Sequence, residues 1–184
     1  MPLSRPSSRK LLHLRDIQLR GYEREDGLVD IEARITDTKT YSWNSQVHGA
    51  VSSGEPVHDM WMRVTIDRNM TVLGCEAAMD ATPYSVCPGV APNFQRLAGL
   101  TIGKGFIRAA MQRLGGVEGC THLRELLQPI ATVAFQTMGS LHGADKSGQP
   151  AFTGINPALV NTCHAYDENG PLFTNTTAKP APRE

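Results

Sequence analysis

The run Gly116-Val117-Glu118-Gly119-Cys120-Thr121-His122-Leu123 carries the strongest chemical signal in the chain. Its glycines turn the backbone sharply into a predicted helix start, with Thr121 as the N-cap. Cys120 and His122 then stand at the positive end of the helix dipole. Thiolates at such positions serve as nucleophiles and as metal ligands. A Cys-x-His spacing lets both side chains face one site, although it is not the spacing of a zinc finger.

Three other segments bring the same residue types. Asn161-Thr162-Cys163-His164-Ala165 sets a Cys beside a His, and on a strand these two face opposite ways. Asp80-Ala81-Thr82-Pro83-Tyr84-Ser85-Val86-Cys87-Pro88 leaves a predicted strand, and its prolines hold Cys87 on a stiff loop. His58-Asp59 stands just before another predicted strand. Soft thiolates with imidazole suit zinc or an iron–sulfur centre. The sequence therefore predicts a metal site built from Cys87, Cys120 and His122, completed by Asp80, by His58, or by Cys163 and His164. Open coordination would make such a site catalytic and closed coordination would make it structural.

Two other readings use the same residues. In the first, a metal-free enzyme employs Cys120 as nucleophile, or His122 and His58 as an acid/base pair, on a small organic acid, ester or thioester. Trp43, Trp61 and Tyr41 would line a pocket or a sheet face. In the second, the protein binds or assembles without chemistry and its cysteines pack in the core, where free Cys commonly sits. Cys75, on an apolar strand face, belongs there in every reading. His13, His48 and His142 read as surface or loop residues.

The elements that must position these groups follow from periodicity. Val29, Ile31, Ala33 and Ile35 alternate with polar residues, as do Met60, Met62, Val64 and Ile66, which is the mark of half-buried strands. Leu12–Gln18 precedes the first of these, with Arg24-Glu25-Asp26-Gly27 as a hairpin turn. Thr71–Met79 runs back from the turn Asp67–Met70, with Leu73, Cys75, Ala77 and Met79 on one face. Tyr41–Val57 reads as a long loop. The period then changes to that of helices. Pro92–Gly99 is a short helix with Phe94 and Leu97 inward. Phe106, Ile107, Ala110, Met111 and Leu114 mark a second, and Leu123 through Met138 a third that Pro129 should kink or divide. Gly99–Gly105 resembles a phosphate-cradling loop but lacks the Gly-Lys-[Ser/Thr] ending. Strands followed by helices define an α+β fold, an antiparallel sheet of about four strands with about three helices on one face. A flexible arm (1–10), one domain (11–173) and a disordered tail (174–184) complete the predicted organisation, with Gly139–Gly154 as a loop and Ala158–Tyr166 docking back.

Composition narrows the classes. Lys+Arg and Asp+Glu are 18 each in 184 residues, so the net charge is zero, which argues against a nucleic-acid partner bound by phosphate neutralisation. No apolar run approaches the roughly 20 residues of a membrane helix, and the N-terminus lacks the apolar core of a secretory signal. The four cysteines are then read as reduced thiols of a cytoplasmic protein, whose partner is a small-molecule ligand or a metal.

Several segments resemble the bacterial family catalogued as domain of unknown function 2889. These are Arg20–Leu28, Asp37-Thr38-Lys39, Gly54–Trp61, Ala81-Thr82-Pro83-Tyr84 with Cys87-Pro88, Gly119–Leu123 and Asn161–Ala165, and they span about residues 10–170. The resemblance implies a stand-alone cytoplasmic bacterial protein. In topology the chain is also similar to NifU/IscU-type iron–sulfur scaffold proteins, with an antiparallel sheet before the helices. That likeness implies comparable places for Asp80 with Cys87 and for Cys120 with His122.

Overall fold

The computed structural model of the protein describes residues 3–45, 47–142 and 159–174. Contacts divide the chain into two compact units, Met1–Leu141 and His142–Glu184, where the sequence predicts one domain over 11–173. Strands β1 (His13–Glu23), β2 (Val29–Lys39), β3 (Trp43–Ser45), β4 (Gly49–Val51), β5 (Pro56–Ile66) and β6 (Val72–Ala81) all lie in the first unit. The predicted four-stranded antiparallel sheet is present, in the order β1-β2-β5-β6. The predicted loop at Tyr41–Val57 instead contains the β3–β4 hairpin.

Alternation decides which face is covered. Val29, Ile31, Ala33 and Ile35 on β2, with Met60, Met62, Val64 and Ile66 on β5, are at most 2% exposed and form one core with the helical half. Each of these side chains except Ala33 contributes about 1.5–3 kcal/mol through burial. On β6 the predicted face is partly wrong. Leu73 is half exposed, and Val72 and Cys75 point inward. The cause is a bulge opposite Thr65/Ile66, which shifts the alternation between Val72 and Cys75.

A 3₁₀ run, Cys87–Leu97, buries Phe94 and Leu97 as predicted. The helices are α1 (Phe106–Leu114), α2 (Thr121–Glu125), α3 (Leu127–His142) and, in the second unit, α4 (Pro171–Thr174). Met111, predicted inward on α1, is 40% exposed. Pro129 does divide the third predicted helix, and the break falls upstream of it, between Glu125 and Leu127. A proline clashes with the carbonyl four residues back, here Glu125, and its missing N–H is harmless in the first turn of α3. Thr121 is the first residue of α2 and not its cap. Cys120 holds the cap position with extended backbone and no side-chain capping bond.

Two contacts fix the helical layer to the sheet. A Cβ on Gly21 of β1 would lie 1.9 Å from Thr137 Oγ1 of α3, so only glycine admits that approach. The segment Gly99–Ile102 ties down the start of β6 and the turn before it. Gly99 N–H donates to Val72 at 2.7 Å, Val72 N–H to Leu100 at 2.8 Å and Ile102 N–H to Met70 at 2.8 Å.

The described part of the second unit, residues 159–174, holds a 3₁₀ turn at His164–Tyr166 and α4. Gly139–His142, predicted as loop, is the end of α3. The rest of that loop, Ala158 of the segment expected to dock, and the tail beyond Thr174 lie outside the described residues.

Candidate metal centre

The inward phase of β2 does not stop at Ile35. One step further it places Asp37 on the covered face, with no exposed surface. The register sets Arg15 of β1 opposite Asp37 on one side and His58 of β5 on the other. Arg15 grips the carboxylate with both arms, Nε donating to Oδ1 at 2.8 Å and Nη2 to Oδ2 at 2.7 Å. His13, two residues earlier on the same face of β1, donates from Nε2 to Oδ1 at 2.9 Å. His58 Nδ1 lies 3.0 Å from Oδ2. The remaining guanidinium nitrogen of Arg15 reaches Glu125 at the end of α2.

Helix α2 brings the second imidazole. His122 stacks on His58 with ring centroids 3.7 Å apart and a tilt of 32°. Its Nε2 lies 3.8 Å from Asp37 Oδ2. Leu123, the next residue, is fully buried and anchors α2 in the core. His122 is thereby held over the sheet end.

Burial alone would raise the Asp37 carboxyl, but the hydrogen bonds from Arg15 and His13 outweigh it and hold the group down at about 2. The same pairing pushes the Arg15 guanidinium above its ordinary value. Both imidazoles are pushed the other way. Burial lowers His58, and the neighbouring His122 lowers it further. Burial also lowers His122, assisted by the positive charge of Arg15. The site therefore pairs an ionised carboxylate with two neutral imidazoles at neutral pH, and these are the protonation states that ligate a metal.

One ligand atom from each of Asp37, His58 and His122 lies within 4.8 Å of the other two. A carboxylate has about four lone-pair sites, of which Arg15 and His13 take three. The fourth faces the imidazoles. Arg15 and His13 thus stand behind the carboxylate and orient it, the arrangement found around metal ligands that must not swing.

Of the residues singled out from sequence, His58 and His122 meet in this group. Cys120 stands beside it, with Sγ 4.0 Å from His122 Nδ1. Cys87 opens the 3₁₀ run half-buried, its backbone N–H bonded to Tyr84. Asp80 accepts a 2.9 Å hydrogen bond from Trp61 Nε1. Both lie on the open face, because Trp61 alternates with the inward Met60 and Met62 on β5. Cys163 is exposed and His164 begins a 3₁₀ turn, both in the second unit. Among the described residues, no cysteine and neither Asp80 nor His164 belongs to the group of three. Trp61 lines a cavity on the open sheet face with Glu32, Arg63 and Glu76, and the Arg34 guanidinium lies over its ring at 4.4 Å, whereas Lys39 lies over Trp43 at 4.8 Å.

Sequence reading missed Asp37, Arg15 and His13. The signal was present, since residues 29, 31, 33, 35 and 37 share one phase and only the last is charged. His58 likewise shares the phase of Met60, Met62 and Val64. Pairing supplies the remainder, because Arg15 is placed by its register with Asp37.

An antiparallel α+β unit with one carboxylate and two imidazoles gathered at a sheet end is the class that this fold and site define. The chain belongs to the family described as "Protein of unknown function (DUF2889)", whose model matches residues 13–136. That span starts at the first residue of β1, ends in α3 and includes Asp37 and the four residues around its carboxylate. Nothing matches among curated proteins or among solved structures, and the likeness to iron–sulfur scaffold proteins gains no support. Among the described residues no helix is long and apolar enough to cross a membrane.

Proposed function

We propose that the protein binds a divalent transition-metal ion through Asp37, His58 and His122. The convergence of their ligand atoms within 4.8 Å, on three different elements, carries this reading. Two imidazoles and a carboxylate suit zinc or iron(II). Iron–sulfur clusters are held by thiolates, and no thiolate belongs to the group, so a single ion is favoured over a cluster. Three protein ligands leave a position open for water or a small-molecule substrate, the condition for Lewis-acid catalysis or water activation. The four free cysteines and the zero net charge support a reduced, cytoplasmic setting without a nucleic-acid partner.

Calorimetric titration of chelator-treated protein with zinc, and anaerobically with iron(II), tests the reading alongside elemental analysis. One equivalent is expected to bind, and His58→Ala and His122→Ala, checked for native circular dichroism, are expected to lose it. Wild-type protein that takes up neither metal, or folded variants that bind as well as wild type, would reject it.

A second reading rests on a separate observation. Cys120 Sγ, His122 and Asp37 form a series at 4.0 Å and 3.8 Å, the order of nucleophile, base and orienting carboxylate. Under this reading Cys120 alkylates faster than Cys87 at neutral pH, and His122→Ala removes the difference. Equal rates in the wild type count against it.

A further inference from the structure

We infer that the protein forms a twofold homodimer by pairing β1 with β1 of a second copy, joining two sheets into one of eight strands. The inference is independent of the metal reading. Its starting point is an asymmetry between the two sheet edges. The outer edge of β6 is engaged at its first residue, Val72, by Gly99 and Leu100, whereas β1 has no strand or hydrogen-bonded segment on its outer side among the described residues. Unpaired edges invite pairing with another chain, and proteins that must stay single protect them with charges, above all lysine, with proline or with a bulge. The charges of β1, Arg15, Asp16, Arg20 and Glu23, are of mixed sign and can therefore pair with a second copy. Residues 13–23 contain no lysine and no proline. Their register with β2 runs unbroken over eleven pairs. The strand also exposes apolar surface, with Leu14 at 44%, Ile17 at 36% and Tyr22 at 43%.

The occupant is identified by complementarity. Placing a twofold axis at Gln18 sets Asp16 against Arg20, Ile17 against Leu19, Leu14 against Tyr22 and His13 against Glu23, each pair occurring twice. Every opposed position is thereby of opposite charge or apolar, apart from Gln18 on the axis, Arg15 facing Gly21 and His13 facing Glu23. Directly opposed residues on antiparallel strands share a face, and such pairs stabilise a sheet.

The hydrogen-bond phase agrees. Arg24 N–H donates to Leu28 at 2.9 Å, and Thr40 N–H donates to Leu12 at 3.4 Å. Even-numbered residues of β1 therefore bond to β2, and odd-numbered residues turn their N–H and C=O outward. In the dimer the odd pairs, such as Ile17 with Leu19, exchange those bonds. Asp16 with Arg20, and Gln18 with its copy, fall at the close non-hydrogen-bonded positions. Asp16 and Arg20 are exposed and lie on the face away from the metal centre.

Sedimentation equilibrium of the full chain, with charge reversal, tests this. Wild type is expected at the mass of two chains. Asp16→Arg and Arg20→Asp should each raise the dimer dissociation constant at least about tenfold, and the double variant should restore it. Gln18→Cys in a Cys163→Ser background should form a disulfide-linked dimer on oxidation, whereas Asp16→Cys should not. A monomer at every concentration, a dimer indifferent to the single reversals, or a double variant that fails to recover overturns the proposal. A crosslink at position 16 with none at position 18 overturns it equally.

Discussion

Asp37 and His58 face each other directly across the β2–β5 pairing, and His58 Nδ1 stands 3.0 Å from a carboxylate that is fully buried. Strand pairing, and not a flexible loop, sets that distance. Arg15 holds the same carboxylate from β1, so three adjacent strands share one ionised group.

Removing that carboxylate should be costly. Asp37→Ala removes the bidentate bond to Arg15 and the bonds from His13 and His58, and losing hydrogen bonds to a charged group costs about 1.5–3 kcal/mol. Asp26→Ala, which removes the exposed Arg24 partner at the β1–β2 turn, should barely move the unfolding midpoint. Urea unfolding of the two variants compares them. A similar small effect for both would mean that the Asp37 network does not stabilise the fold.

The metal-free protein should lose stability in two stages on acidification. His58 and His122 are held below their ordinary value of 6.5, by burial first and then by His122 and Arg15 respectively. The unfolded chain takes up these protons first, so stability falls as the pH drops through 6.5. Asp37 titrates at 3.8 when unfolded and at about 2 when folded, which adds a second loss below 3.8. Above 6.5 neither group contributes a slope. Urea midpoints measured with chelator from pH 8 downward check this, and a flat profile between about pH 7 and pH 5 would contradict the first stage.

Thiol labelling should separate the cysteines. Burial pushes the Cys75 thiol up to about 12, with Glu76 adding to the shift, whereas Cys163 is exposed. At pH 8, native protein should react with iodoacetamide at Cys163 and not at Cys75, and urea should release Cys75. Rapid native labelling of Cys75 would show that β6 opens readily.

The packing of α3 on β1 is testable at one atom. Gly21→Ala drives its Cβ into Thr137, whose hydroxyl is itself bonded to the Val133 carbonyl at 2.8 Å. Overpacking of this kind costs about 1–3 kcal/mol. Thr137→Ala should recover part of that loss in the double variant. Additive losses in the double-mutant cycle would show that the two residues do not meet.

The fold was legible from the sequence wherever one rule acted alone. Alternation marked β2 and β5, and helical spacing marked α1 and α3, because burial demands those periods. Leu73 was misplaced because a bulge has no signature in hydrophobic alternation. Thr121 reads as a cap by residue type, but the helical backbone begins at Thr121 itself and the extended residue before it is Cys120. At the site, His58 and His122 were legible by type but Asp37 was not. An aspartate among inward apolar residues reads as the end of a strand until Arg15 and His13 are seen to satisfy it. The cysteines drew attention by their chemistry, whereas the observed group depends on long-range register.

The residues around the Asp37 carboxylate come from β1, β2, β5 and α2, separated by up to 109 positions along the chain, from His13 to His122. No short excised peptide can contain them all. Saturation with a ligand at this junction must therefore brace the entire first unit, so the melting temperature becomes a gauge of occupancy and climbs with ligand concentration.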